Sequence, residues 1–179
     1  MTRKEFDELF ETVTSNGWLT REEGWLLVSS ADQTEGSIVE VGSYQGRSAK
    51  LLASLKDEFG NPRLLKCVDP WDDRFHSDLK GEEIYQRFCA NVPFPNVLHY
   101  RMRVEDWHPA PAGFVYLDGD HTYEGTVTQC RKALACQPQM IAAHDVSNSG
   151  GGMEVARAAY EILGGLTNLV ETLAVWDLR

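Results

Sequence analysis

Residues 114–125 read FVYLDGDHTYEG. An apolar run, Phe114 to Leu117, breaks abruptly into Asp118, Gly119, Asp120 and His121. Two carboxylates and an imidazole at the mouth of a buried strand can hold a divalent cation or take a proton from a bound hydroxyl. They can equally form a solvated acidic turn. A second pair, His144-Asp145, follows another apolar run, Met140 to Ala143. Carboxylate oxygens suit a hard cation such as magnesium, whereas an imidazole moves the preference toward a transition metal. His121 and His144 each also have a structural reading, as hydrogen-bonding braces across strand ends. Asp118 can instead cap the helix that follows.

Three further stretches carry chemistry. In EVGSYQGRS, residues 40–48, a strand ends in two glycines that lead straight into a helix. Gly42 allows a tight turn and Gly46 a close approach to a ligand, and the helix N-terminus presents free N–H groups. The dinucleotide fingerprint G-x-G-x-x-G is absent, with Tyr44 where its second glycine belongs, and no G-K-[ST] phosphate loop follows. Asp69, in Asp69-Pro70-Trp71, closes the next apolar run, where an acid grips ribose hydroxyls in nucleotide-binding sheets; a loop or capping acid is the alternative. Arg103, Val104, Glu105 and Asp106 follow a third run, either lining the base end of a nucleoside or lying in solvent.

The elements that must position these residues alternate. Helices are expected over 4–16 and, behind the capping box Thr20–Glu23, through about Ser30. Strands are expected at Ser37–Val41, Leu64–Val68, Val97–Met102, Gly113–Leu117 and Met140–Ala143. Between them fall helices at Ser48–Phe59, with Leu55 and Phe59 inward, and at Glu82–Ala90. Two more follow at Thr122–Cys136, with Tyr123, Val127, Cys130 and Leu134 inward, and at Met153–Leu163. Leu169–Leu178 is one strand or a hairpin. Nearly unbroken apolar strands alternating with helices specify an α/β, doubly wound, mainly parallel sheet. Ahead of it stands an N-terminal helical extension (1–30, with the core at 37–179). Ligands then bind at the carboxyl ends of the strands, which is where all five chemical stretches fall.

The 179 residues suit one domain with a full core. The net charge of −10 argues against a nucleic-acid backbone as partner, since such binders carry a basic stripe. No segment reaches the length of an apolar membrane span, and no apolar leader is present, so a cytoplasmic protein is expected. The four cysteines show no metal-ligand spacing, and Cys67 and Cys130 read as reduced core thiols.

In combination, IVEVGSYQGRSAKLL (38–52), CVDPW (67–71), FVYLDGDHTYEG (114–125) and AAHDV (142–146) resemble the class I S-adenosylmethionine-dependent methyltransferases. The nearest branch is that of small-molecule O-methyltransferases, including macrocin O-methyltransferases and cephalosporin-hydroxylase-like proteins. The resemblance implies strand order 3-2-1-4-5 followed by one or two C-terminal strands. It implies that Glu40, Gly42, Ser43 and Gly46 wrap the methionine end of S-adenosyl-L-methionine, that Asp69 takes the ribose and that Trp71 lies near the adenine. Asp118 would contact cofactor or metal, His144 and Asp145 would complete a site for Mg2+ or another divalent cation, and Asp120 or His121 would take the proton. The sequence departs from the family at His144, where an acid is usual. The acceptor would be a small molecule, bound beside residues 72–92 and 146–153, with Phe75 and His76 in a lid. Amphipathic N-terminal helices leave a homodimer open. The competing readings are a non-catalytic S-adenosylmethionine-binding protein, a nicotinamide-dependent oxidoreductase, and a metal-dependent hydrolase or hydroxylase.

Overall fold

The computed structural model describes residues 1–13, 17–73, 79–147 and 152–179. The lid residues Phe75 and His76, and most of the glycine-rich stretch after Val146, lie outside them. The chain runs α1 (Arg3–Glu11), α2 (Arg21–Asp32), β1 (Ile38–Val41), α3 (Arg47–Ala53), β2 (Leu65–Asp69), α4 (Gly81–Asn91) and β3 (Val97–Arg101). It continues with β4 (Phe114–Leu117), α5 (Tyr123–Ala135), β5 (Met140–Ala143), α6 (Gly152–Leu163), β6 (Asn168–Val170) and β7 (Leu173–Asp177). The sheet order is β3-β2-β1-β4-β5-β7-β6, with β7 and β6 antiparallel and the rest parallel. The C-terminal segment is therefore a hairpin, turning at Glu171-Thr172 with Glu171 at φ 53°.

The strands are apolar on both faces because helices cover both. Along β4, Phe114 and Tyr116 join the core under α1–α4, while Val115 and Leu117 join the core under α5 and α6. This is the two-residue alternation of a pleated strand. α2 begins in a capping box: the Thr20 hydroxyl accepts from the Glu23 amide, and the Glu23 carboxylate accepts from the Thr20 amide. Its far end is closed by buried Arg63, which donates to the carbonyls of Ala31 and Gly36 and to the Thr34 hydroxyl.

Two expectations about helices are corrected. α3 stops at Ala53, not near Phe59. Leu55 is buried as expected, but Phe59 is 80% exposed at a turn tip. The Asp57 carboxylate accepts from the amides of Phe59 and Asn61, and this local bonding outcompetes a further helical turn. On α5 the buried set is Thr126, Gln129, Cys130 and Ala133. Leu134 is exposed, and Tyr123 is half-buried with its hydroxyl donating to Glu161 of α6 at 2.6 Å.

Register places the chemistry. Val41 is level with Val68 on one side and Leu117 on the other, and Leu117 is level with Ala143. The next residue of each strand, Gly42, Asp69, Asp118 and His144, therefore emerges along one rim.

Candidate active site

Gly42 is the tightest point of that rim. Its φ is +84°, and a Cβ there would stand 2.1 Å from the Asp118 carbonyl oxygen. No other residue fits both the turn and the neighbouring strand. Gly46, φ +87°, begins α3, but its missing Cβ makes room for Val92 and Phe88 rather than for a ligand. Between them, the Asp69 carboxylate accepts from the amides of Ser43 (2.8 Å) and Tyr44 (2.9 Å), and its other oxygen from the amide of Trp71 (2.6 Å). The same acid thus ties the glycine turn to the end of β2. The Trp71 ring is buried against Tyr85 and Phe88, and its indole N–H donates to the Tyr44 carbonyl.

Glu40 lies beneath the turn, fully buried. One oxygen accepts from the Ser43 hydroxyl at 2.6 Å and faces the Cys67 thiol at 3.4 Å; Oε1 has no partner among the described residues. Burial raises its carboxyl to about 7, only partly offset by those donors.

On the other half of the rim, Asp118 accepts from the Tyr116 hydroxyl at 2.9 Å. Its Oδ1 is 3.5 Å from His121 Nε2 and 3.5 Å from His144 Nδ1. His121 Nδ1 is 3.4 Å from Asp145, so this ring is pinned between two carboxylates. Burial opposes ionisation of Asp118, yet the two imidazoles outweigh it and hold the carboxyl below its ordinary range. Asp118 in turn raises the His121 imidazole against the cost of burial. One ligand atom from each of Asp118, His121 and Asp145 lies within 4.8 Å of the others, a spacing that can take a divalent ion.

His144 falls outside that group. Its ring is buried, with Nε2 3.3 Å from Glu23 of α2 and Nδ1 3.6 Å from Asp145 as well as beside Asp118. Burial disfavours its charge, but the surrounding acids win and raise it far above the ordinary imidazole range. The expected trio is Asp118, His144 and Asp145; among the described residues the ligand atoms that lie close enough together to share an ion come from Asp118, His121 and Asp145, while buried His144 stands behind them against Glu23.

Asp120 accepts from the Thr122 amide at 2.8 Å, and its carboxyl packs where a side chain on Gly125 would stand. The turn that carries it is clamped from below. Gln129 accepts from the Gly119 amide at 3.1 Å and donates to the Asp120 carbonyl at 2.7 Å. Glu23 and Gln129 are site residues that sequence reasoning missed. The capping box had already accounted for Glu23, and the only sign of Gln129 was an amide interrupting an inward helix face.

All of this surrounds one cleft of about 1220 Å³. Gly42, Ser43, Asp69, Trp71, Asp118, Asp120, His121, His144 and Asp145 line it, as do Arg103, Val104 and Glu105; Glu40 and Gly46 lie behind its wall. Among the described residues five non-glycine positions have left-handed backbone, and three of them, Tyr44, Trp71 and Asp145, are on it. Such strained positions gather where a site is held in a set geometry. Trp18, 75% exposed, stacks on Tyr44 at the cleft edge.

Residues 39–145, more than half of the chain, match the family described as a methyltransferase domain. The chain belongs to this methyltransferase family. No curated protein gives a significant match. Solved structures share the fold at low identity. CalS11, a TDP-rhamnose 3'-O-methyltransferase of calicheamicin biosynthesis, is 15% identical with a TM-score of 0.58, covering 98% of this chain and 92% of its own. An O-methyltransferase from Bacillus cereus in complex with SAH is 15% identical with a TM-score of 0.60, covering 97% and 88%. A putative RNA methyltransferase from Pyrococcus horikoshii, 13% identical with a TM-score of 0.54, covers 80% and 72%. The methyltransferase fold is thus shared across acceptor classes, and the acceptor has to be argued from the site. Among the described residues no helix is long and apolar enough to cross a membrane.

Proposed function

We propose that this methyltransferase moves the methyl group of S-adenosylmethionine to a hydroxyl of a small molecule. The observation that carries this reading is the meeting, in one cleft, of the Asp69-tied glycine turn with the Asp118–His121–Asp145 cluster. The cleft's volume of about 1220 Å³ exceeds that of an ordinary single-ligand pocket, leaving room for a nucleoside and an acceptor together. The chain's net charge of −10 and the acids of the rim disfavour a phosphate backbone as the acceptor's carrier.

The residues present fit the cofactor. Ser43 and Tyr44 offer the turn, Asp69 beside it would take the ribose, and Glu40 Oε1 is a buried acceptor with no donor among the described residues. Bound there, S-adenosylmethionine supplies a methyl group already activated by its sulfonium. The cluster also fits a divalent ion, held by Asp118, His121 and Asp145, which would lower the pKa of a coordinated hydroxyl. The chain's own work is alignment and proton removal. The Gln129 clamp fixes the turn, Asp118 and Asp145 orient His121, and Asp120 receives the acceptor's proton.

Calorimetric titration with S-adenosylhomocysteine, with and without manganese, tests the reading. Saturable binding of the nucleoside supports it, and Asp118→Asn should then weaken manganese binding at least tenfold. A protein that binds manganese alone and ignores the nucleoside refutes it and favours a metal-dependent hydrolase.

A further inference from the structure

Trp18 is the cleft residue that neither the glycine turn nor the acid cluster accounts for. It lies between α1 and α2, in the helical extension and outside the residues 39–145 that match the methyltransferase family. Its side chain is 75% exposed and lines the cleft. A lone exposed aromatic at an outer turn, such as Phe59, calls for no function. Trp18 differs because its surroundings hold it. The next residue, Leu19, is buried, and its carbonyl accepts from Arg47 Nε of α3 at 2.9 Å. Gly17 packs so closely on the Arg47 side chain that a Cβ there would stand 2.8 Å from its Cδ. The Trp18 ring lies on Tyr44, with centroids 5.9 Å apart and planes 29° from parallel. Tyr44 is fixed in turn: its amide donates to Asp69, its carbonyl accepts from the Trp71 indole, and its backbone is left-handed at φ 46°. The glycine turn thus carries a stack of two rings whose outer member is largely uncovered at the cleft edge.

An uncovered indole accepts a further flat ring in the offset geometry that aromatic pairs prefer. The acids decide what that ring must carry. Asp118, Asp120 and Asp145 line the same cleft, and a carboxylate is a weak base. Proton removal by such a base is far less uphill from an aromatic hydroxyl, with a pKa of about 10, than from an aliphatic one, about as reluctant as bulk water at ~15.7. We infer that the acceptor is a hydroxylated aromatic ring and that Trp18, backed by Tyr44, is the specificity-determining face on which it lies. The inference rests on the reading of the cleft as a site of methyl transfer to a small-molecule hydroxyl, and names the class of that molecule. The ring's oxygen bonds to the methyl carbon as the sulfonium–methyl bond breaks; that bond's electron pair stays on sulfur, and the hydroxyl proton passes to Asp120. The helical extension thus chooses the acceptor, while the domain behind it holds the methyl donor.

Saturation-transfer NMR on protein loaded with S-adenosylhomocysteine tests the ring directly. 2-Naphthol and 4-methylphenol should bind the wild type. Decahydro-2-naphthol, the same skeleton without a flat face, should bind roughly tenfold more weakly than 2-naphthol. Trp18 is exposed, so its variants should keep the fold. Trp18→Leu, apolar but not flat, should weaken 2-naphthol about tenfold, and Trp18→Phe should bring it back to within about threefold of the wild type. Neither change should move calorimetric affinity for S-adenosylhomocysteine by more than about twofold. Equal binding of 2-naphthol and its saturated analogue, or undiminished binding of 2-naphthol to Trp18→Leu, overturns the inference. A loss of nucleoside affinity as large as the loss of 2-naphthol also overturns it, making Trp18 a cover for the cofactor. Failure of both phenols to bind overturns it too, in favour of a sugar acceptor if methyl β-D-glucopyranoside binds instead. In all these cases a bound nucleoside leaves the methyl-transfer reading standing, whereas no nucleoside binding overturns both.

Discussion

Replacing Glu23 by Ala should damage this fold far more than its place in a helix cap suggests. The carboxylate is 2% exposed and has four contacts: the Thr20 amide (3.0 Å), the Thr172 amide (3.0 Å), the Thr172 hydroxyl (2.7 Å) and His144 Nε2 (3.3 Å). Losing the cap alone costs about 1 kcal/mol. Leaving a buried imidazolium without this partner raises the total to ~3–5 kcal/mol. For a chain of this size that corresponds to a fall in Tm of roughly 6–20 °C. His144→Ala removes the imidazolium, which without Glu23 faces only Asp118 and Asp145 on its other side, so Glu23→Ala/His144→Ala should be less destabilised than the sum of the single variants. The expected coupling is about 1.5–3 kcal/mol, read from urea unfolding of the four proteins at pH 7. The pH dependence has a definite sign. Burial opposes the ionised form of Glu23, but its hydrogen bonds hold the carboxyl well below the ordinary range. Its contribution is thus present above the unfolded carboxyl pKa and is lost as pH falls through the depressed folded value. His144, raised, contributes fully below the unfolded imidazole pKa and loses that contribution only as pH climbs toward its folded value. A coupling below about 0.5 kcal/mol at pH 7 would show that the two side chains merely lie side by side.

Asp69→Asn keeps the shape of the acid but weakens the bonds from the Ser43, Tyr44 and Trp71 amides. Each charge-assisted bond is worth ~1.5–3 kcal/mol, so affinity for S-adenosylhomocysteine should drop at least tenfold by calorimetry; unchanged affinity would mean the turn holds itself. Gly42→Ala drives a methyl group into the Asp118 backbone, 2.1 Å from its oxygen. It should lower Tm and abolish nucleoside binding, whereas Gly60→Ala, with nothing within 4 Å of its Cβ, should leave binding intact. The unliganded protein should lose stability relative to Glu40→Gln as pH rises from the ordinary carboxyl range through about 7, because a raised carboxyl stabilises only while protonated. Parallel melting curves of the two proteins between pH 5 and 8 would contradict the burial argument.

Much of this architecture was legible in the sequence. The strands are short apolar runs that end in Gly42, Asp69 and Asp118, and parallel pairing makes such ends coincide. What escaped were contacts between distant elements. Glu23 and His144 are 121 residues apart, and nothing local marks a capping acid as having a second partner in a strand end. Gln129 interrupts an inward helix face with an amide, which reads as a fault in the pattern until the turn above it is seen. The length of α3 was overestimated because Leu55 and Phe59 keep helical spacing, while the turn at Asp57 depends on side-chain bonding that periodicity does not register. The closeness of His121, rather than His144, to the Asp118–Asp145 pair has the same origin. Both histidines follow apolar strands, and only the position of α2 decides which one is occupied from behind.

The Glu23 junction also sets an order of assembly. It joins α2 to the end of β5 and to Thr172 in the final hairpin, across 149 residues of chain. Contacts of such long separation close late in folding, after the locally connected β1–α3–β2 unit can form. A chain still emerging from the ribosome would thus shape its nucleoside half first. The acidic half would remain unset until β7 arrives.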